Sequence, residues 1–193
     1  MNKVELVKTE LNYIKNSRIR KSAEVFVNML PDYFFTTAAS STGKYHPEFA
    51  AGEGGLLRHS KAATYILNEI ISTKTFGDDF TSDEKDLLRF AILVHDGFKH
   101  GITEEQYTKH EHPLICATCL RAAKDKMELT DEEIEYVATA VESHMGEWNK
   151  SNYSDIELAI PTSKAQKLVH LADLLSSKKV LDIKFDGNEI KRD

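Results

Sequence analysis

Cysteine is almost missing from this 193-residue chain, and the two that occur, Cys116 and Cys119, exclude a disulfide scaffold. Proline is scarce at four residues, and with nine glycines the composition is neither collagenous nor disordered. No apolar run approaches the roughly 18 residues of a membrane span. The opening MNKVELVKTELNYIKNSRIRK mixes charge with apolar residues where a signal peptide needs an unbroken apolar stretch, so a cytoplasmic location is expected. Positive charge is in deficit: 25 Lys plus Arg against 31 Asp plus Glu leave a net charge of −6. That field repels polyanions and argues against long duplex nucleic acid or an anionic membrane as partner, so any phosphate must be met locally. The length suits a single domain, residues 1–193, with one core. Against these scarcities stand eight histidines.

Helical periodicity dominates, and no long alternating run predicts a half-buried sheet. Val4, Leu6, Val7, Leu11 and Ile14 predict a first helix, and Ala23, Val25, Phe26 and Met29 a second that ends at Pro31. After a loop-like stretch, LLRHSKAATYILNEIIS predicts a helix with Leu56, His59, Ala63, Ile66 and Ile70 on its inner face. Thr81 with Glu84 forms a capping box ahead of DLLRFAILVHD, whose helix Gly97 should stop. Pro113 suits the first turn of the next helix, because its missing N–H has no intrahelical partner there. Thr130 with Glu133, and Ser163 with Gln166, open two more. The tail LDIKFDGNEIKRD reads as a small hairpin around an Asp-Gly pair. The expected fold is therefore all-α.

Placing the polar residues on those helices is informative. His59, His95, His112 and His144 each fall in an apolar row, Asp96 follows His95, and Asp173 lies one turn beyond Val169. Any one of them alone reads as a hydrogen-bonded core residue. Burying all six without a compensating charge costs too much for a small domain, since an unpaired imidazole costs about 1–3 kcal/mol and a carboxylate more. A metal supplies that charge. Four imidazoles and two carboxylates suit Mn, Fe, Co, Ni or Zn, with Mg where oxygen ligands dominate.

These residues, in this order, resemble the HD-domain metal-dependent phosphohydrolases, whose fold is a bundle of about five core helices. The flanking words are similar as well: "GGLLRHS", "LVHDGFK", "EHPLICA", "VESHMGEW" and "VHLADLLSSK". The loop "AASSTGKYHPEFAAGEGGLLRHS" is similar to the corresponding region of the 3′-to-5′ exoribonuclease branch, without that branch's nucleic-acid-binding module. The resemblance covers about residues 38–178. It implies one or two divalent metal ions, with His59, His95, Asp96 and Asp173 holding the first and Asp96 bridging to a second on His112 and His144. Met145 stands where many dinuclear members have a second His, so a mononuclear site stays open.

The resemblance also implies hydrolysis of a phosphate ester by metal-activated water, with Asp96 and Lys99 as catalytic residues; the other reading of Lys99 is an exposed side chain after a helix stop. Lys44, His46 and Arg58 are candidates to bind the substrate's phosphates, although His46 also reads as an exposed loop residue. His112 is preferred to His110 as ligand. His170 is placed either behind Asp173 or on a partly exposed face, and His100 has no role. "SSTGKY" fails as a phosphate-binding loop because Ala38 replaces its first Gly, and Cys116 with Cys119 read as buried small hydrophobes. The expected substrate is a small nucleotide or short oligonucleotide, as phosphodiester or monoester. The alternative is a catalytically silent nucleotide-binding or interaction module on the same bundle.

Overall fold

The computed structural model describes residues 1–40, 46–181 and 183–191. Among them are the helices α1 (Lys3–Leu6), α2 (Lys8–Leu11), α3 (Ser17–Met29), α4 (Gly55–Ser72), α5 (Lys74–Gly77), α6 (Ser82–Val94), α7 (His112–Ala122), α8 (Asp131–Glu142) and α9 (Lys164–Ser176). A two-stranded antiparallel hairpin, β1 (Phe185–Asp186) and β2 (Glu189–Ile190), follows them. The architecture is an all-α bundle, as expected. No helix among the described residues is long and apolar enough to cross a membrane.

Helix α6 is its axis. From Leu87 to Val94 every side chain except Arg89 is buried, which fits a helix apolar on all sides. Helices α3, α4, α8 and α9 pack around it, and α7 packs on α8. Three helix starts are set by the expected reciprocal caps: Thr81 with Glu84, Thr130 with Glu133 and Ser163 with Gln166. Pro113 lies in the first turn of α7.

Several boundaries differ from the sequence expectation. The first predicted helix is two short ones broken at Val7, although Val7, Leu11 and Ile14 are buried as the apolar row requires. Helix α6 ends at Val94 rather than at Gly97, because the His95 ring takes the Ile92 carbonyl that a further turn would use. On α4 the buried face is wider than the predicted row: Ser60, Lys61, Thr64, Leu67 and Ile71 are enclosed, while Ile66 and Ile70 are half-buried. The reason is that α2, α6, α9 and the hairpin all pack on that helix. In the hairpin Asp186 pairs with Glu189, so the turn is Gly187-Asn188 rather than Asp-Gly; Gly187, at φ 58°, supplies the positive φ.

Two glycines shape the entry to α4. Gly54 stands at its N-cap with φ 70°, and a Cβ on Gly55 would sit 2.2 Å from the Ala50 carbonyl oxygen. The segment before α4 is therefore pressed onto its first turn. Arg58 holds it there, donating to the carbonyls of Phe49 (2.5 Å) and Ala51 (2.9 Å) and to Asn188 Oδ1 of the hairpin (2.9 Å).

Candidate metal centre

Five helices end or begin around one buried point. His59 comes from α4, His95 and Asp96 from the end of α6, and His112 from the start of α7. His144 lies two residues past the end of α8 rather than on it, and Asp173 belongs to α9. All six of the residues singled out by periodicity meet, and five are at most 1 % exposed; Asp173 is half-buried.

The Asp96 carboxylate divides the cluster. Its Oδ2 faces Lys99 Nζ (2.5 Å), His59 Nε2 (3.4 Å) and His95 Nε2 (3.5 Å). Its Oδ1 faces His112 Nε2 (2.9 Å) and His144 Nε2 (3.6 Å). Asp173 Oδ1 joins the first half, at 3.0 Å from His59 Nε2 and 3.4 Å from His95 Nε2. Two compact sets could each hold a metal ion: His59 with His95 and Asp173, and His95 with Asp96 and His144. His112 adjoins the second, its Nε2 3.1 Å from that of His144.

The other ring nitrogens fix the tautomers. Nδ1 of His95 lies 2.6 Å from the Ile92 carbonyl oxygen, Nδ1 of His112 2.6 Å from that of Lys109, and Nδ1 of His144 2.7 Å from that of Val141. A carbonyl only accepts, so each Nδ1 carries the proton and donates. His59 Nδ1 lies 3.1 Å from Ser176 Oγ, whose own hydrogen goes to the Asp173 carbonyl at 2.7 Å, so His59 is also the donor. Every Nε2 then turns a lone pair inward, toward another Nε2 or a carboxylate oxygen. Acceptors face acceptors at 2.9–3.1 Å, and His95 Nε2 has no hydrogen-bond partner among the described residues. Cations placed among them resolve this arrangement, and outward-bonded Nδ1 atoms are how proteins orient metal-ligating imidazoles. The residues present therefore fit a divalent metal centre.

The protonation states agree. Burial pushes the Asp96 carboxyl up, but Lys99 and His95, with the contacts of the His112 and His144 rings, outweigh it and hold the group well below the usual carboxylate range. Burial likewise opposes, and contacts with His59 and His95 reverse, the shift at Asp173, which is also held well below that range. Burial pulls the His112 imidazole down to about 4, against Asp96, and lowers His59 against Asp173. Two ionised carboxylates and neutral imidazoles are what a metal requires. His95 is the exception: burial lowers it, but Asp96 and Asp173 prevail and raise it.

The remaining candidates are placed as follows. Lys99 is 9 % exposed with its ammonium on Asp96, so it is a member of the cluster rather than a solvated side chain after a helix stop. The His46 ring packs edge-on at 5.0 Å from that of His59, and its Nδ1 is buried without a hydrogen-bond partner among the described residues. Burial, with His59 and Lys99 adding to it, pulls its imidazole down to about 3. Arg58 is engaged by the loop and the hairpin, as described above. Lys44 lies outside the described residues. His110 bonds the carbonyls of Asn149 (3.2 Å) and Ile156 (3.1 Å), and it is His112 that enters the cluster. His170 holds the His144 carbonyl at 2.7 Å rather than standing behind Asp173. Cys116 is buried, donating to the Val94 carbonyl, whereas Cys119 is half-buried.

Two structural members escaped the sequence reading. Ser176 was detectable, since it follows Asp173 by three residues and so shares its helix face. Lys61 was not. It is fully buried, with Glu10 at 3.3 Å, Glu189 at 2.5 Å and the Leu6 carbonyl at 2.9 Å. Its partners lie far away in the sequence.

One cleft reaches the cluster at His112, and a second comes near it at His46, whose ring packs on that of His59. The first, of about 740 Å³, is lined by His112, Met145, Lys109, Tyr107 and Tyr153 among others. The second, of about 610 Å³, lies between His46 and Phe49 on one side and Lys179, Lys184 and Phe185 on the other. Residues 56–178, more than half of the chain, match the family model described as HD domain. No curated protein and no solved structure matches.

Proposed function

Because the chain belongs to the HD-domain family, whose members are in general metal-dependent phosphohydrolases, we propose that it hydrolyses phosphate esters of nucleotides or short oligonucleotides. One observation carries the reading: four imidazoles, each anchored through Nδ1, turn their Nε2 lone pairs onto two carboxylates, Asp96 buried and Asp173 half-buried. His59, His95, Asp96 and Asp173 would hold one ion, and Asp96, His112 and His144 a second. When bound, such ions lower the pKa of water toward neutrality and offset the charge of the phosphoryl oxygens.

The chain's own residues do the rest. Asp96 keeps its negative charge at neutral pH because Lys99 and His95 stabilise it. Lys99 is the ammonium nearest the carboxylates and can stabilise charge that develops on the phosphoryl group. His46 offers a neutral imidazole with an unpartnered nitrogen beside His59, suited to orienting a phosphate oxygen. The likeness of the loop before α4 to the exoribonuclease branch favours nucleotide substrates, while the net charge of −6 disfavours long polyanions.

The test is elemental analysis of the purified protein joined to an assay panel. Nucleoside monophosphates, linear dinucleotides, cyclic nucleotides and short RNA are offered with Mn, Co, Ni, Mg or Zn. Near-stoichiometric metal together with metal-dependent release of phosphate or nucleotide is expected. A protein that takes up none of these metals and turns over no ester overturns the reading.

A further inference from the structure

Resting on the phosphohydrolase reading, we infer that the substrate is a linear phosphodiester carrying two nucleosides, one in each of the two clefts. Asp96 splits the cluster, Oδ1 serving His112 and His144 while Oδ2 serves His59, His95 and Lys99. Each half has a cleft on its side, the first reached directly and the second through the His46 ring. The cleft of about 740 Å³ is lined by His112 itself, and that of about 610 Å³ by His46, whose ring touches that of His59. Either volume falls within the few hundred to about 1,000 Å³ typical of small-molecule sites.

Both clefts also carry a surface for a base. Tyr107 and Tyr153 stand at the first, 66 % and 98 % exposed, so their ring faces are open to a ligand. At the second, Phe49 and Phe185 stack at 5.0 Å, with Lys179 and Lys184 in the same lining. A monoester has a single organic arm and leaves one cleft empty. A cyclic mononucleotide has both ester oxygens on the same nucleoside and does likewise. A linear dinucleotide fills both while its phosphate lies at the cluster between them.

The reaction is a hydrolysis. Water forms a bond to phosphorus, the P–O bond to one nucleoside breaks, one proton of the water stays on the phosphate and the other goes to the departing nucleoside oxygen. Products are one nucleoside and one nucleoside monophosphate.

The test compares adenylyl-adenosine, cyclic adenosine monophosphate and adenosine monophosphate with the full-length protein in saturating Mn²⁺. The linear dinucleotide is expected to exceed both others at least tenfold in kcat/KM, giving adenosine and its monophosphate in equal amounts. Tyr153→Ala and Phe185→Ala should each raise KM for the dinucleotide by about tenfold, the loss of one base-stacking contact. Metal content, which a general disturbance of the fold would alter, should stay at the wild-type value in both variants. The inference is overturned if the monophosphate is hydrolysed as efficiently as the dinucleotide, or if only one of the two variants raises KM. Silence toward all three esters in a metal-loaded protein overturns the hydrolase reading itself, and the inference with it.

Discussion

Asp96 has two oxygens in different company, and the chemistry proposed for the site depends on both. Asp96→Asn replaces one oxygen by an amide that cannot ligate, and it leaves either Lys99 or the His112–His144 pair facing a donor. Hydrolysis should fall below detection, and bound metal, measured by elemental analysis, should drop well below the wild-type content. Lys99→Ala separates charge stabilisation from metal holding. Removing one preorganised donor to developing negative charge typically costs about 10²- to 10³-fold in kcat, with little change in metal content expected. Retained turnover would assign Lys99 only to the neutralisation of Asp96. Of the site residues, those with a periodic signature were legible in the sequence: His59, His95, His112 and His144 sit where an apolar row predicts burial, and burial of so many polar groups predicts a shared counter-charge. Lys61 escaped because it lies among inward residues on a helix enclosed from several sides, and nothing local to it names Glu10 or Glu189.

At the scale of elements, the short turn after α8 does as much for the site as any helix. His144 lies on that turn, with its ring held by the Val141 carbonyl and its own carbonyl held by His170 of α9. Gly146 makes the second contact feasible: at φ 57° a Cβ would lie 2.2 Å from the His170 ring. Gly146→Ala should therefore displace His170, loosen His144 and weaken metal binding by about 10- to 100-fold, the range seen when groups supporting a ligand are removed. Metal titration of the variant beside His170→Ala checks this, and equal losses in the two would show that the glycine acts through that ring. The helix starts were legible because capping boxes are local chemistry. The helix ends were less so. The end of α6 is set by the His95 ring folding back on the Ile92 carbonyl, and the turn after α8 is held by His170 of α9, neither of which periodicity encodes.

At the scale of the whole molecule, the buried cluster couples stability to pH and to metal. His112 titrates near 4 and His46 near 3 in the folded chain, both below the ordinary imidazole value, and His59 is shifted the same way. The unfolded chain therefore binds more protons below about pH 6.5. The stability these groups contribute is complete above that value and is lost as pH falls through it toward 4. Asp96 and Asp173 extend the loss to lower pH, because their contribution is present above their unfolded values and disappears as they are protonated. His95 and Glu10, both shifted upward, oppose the trend. In EDTA the melting temperature should accordingly decline from pH 7 to pH 4, and a flat or rising profile would contradict the ionisation states described. Adding Mn²⁺ at about a hundred times its Kd at pH 7 should contribute about 2.7 kcal/mol, a rise of roughly 5–10 °C for a chain of this size.

The enclosed ammonium of Lys61 bears on the order in which the molecule assembles. Burial pushes the Glu10 carboxyl up, so the closest counter-charge is Glu189, 128 residues further along. On the ribosome, α4 and the N-terminal helices emerge long before the hairpin that carries Glu189. Until then Lys61 must stay hydrated or rest on a weakened partner, which holds the α2–α4 contact open. Closure of the bundle over Lys61 thus waits for the hairpin that carries Glu189.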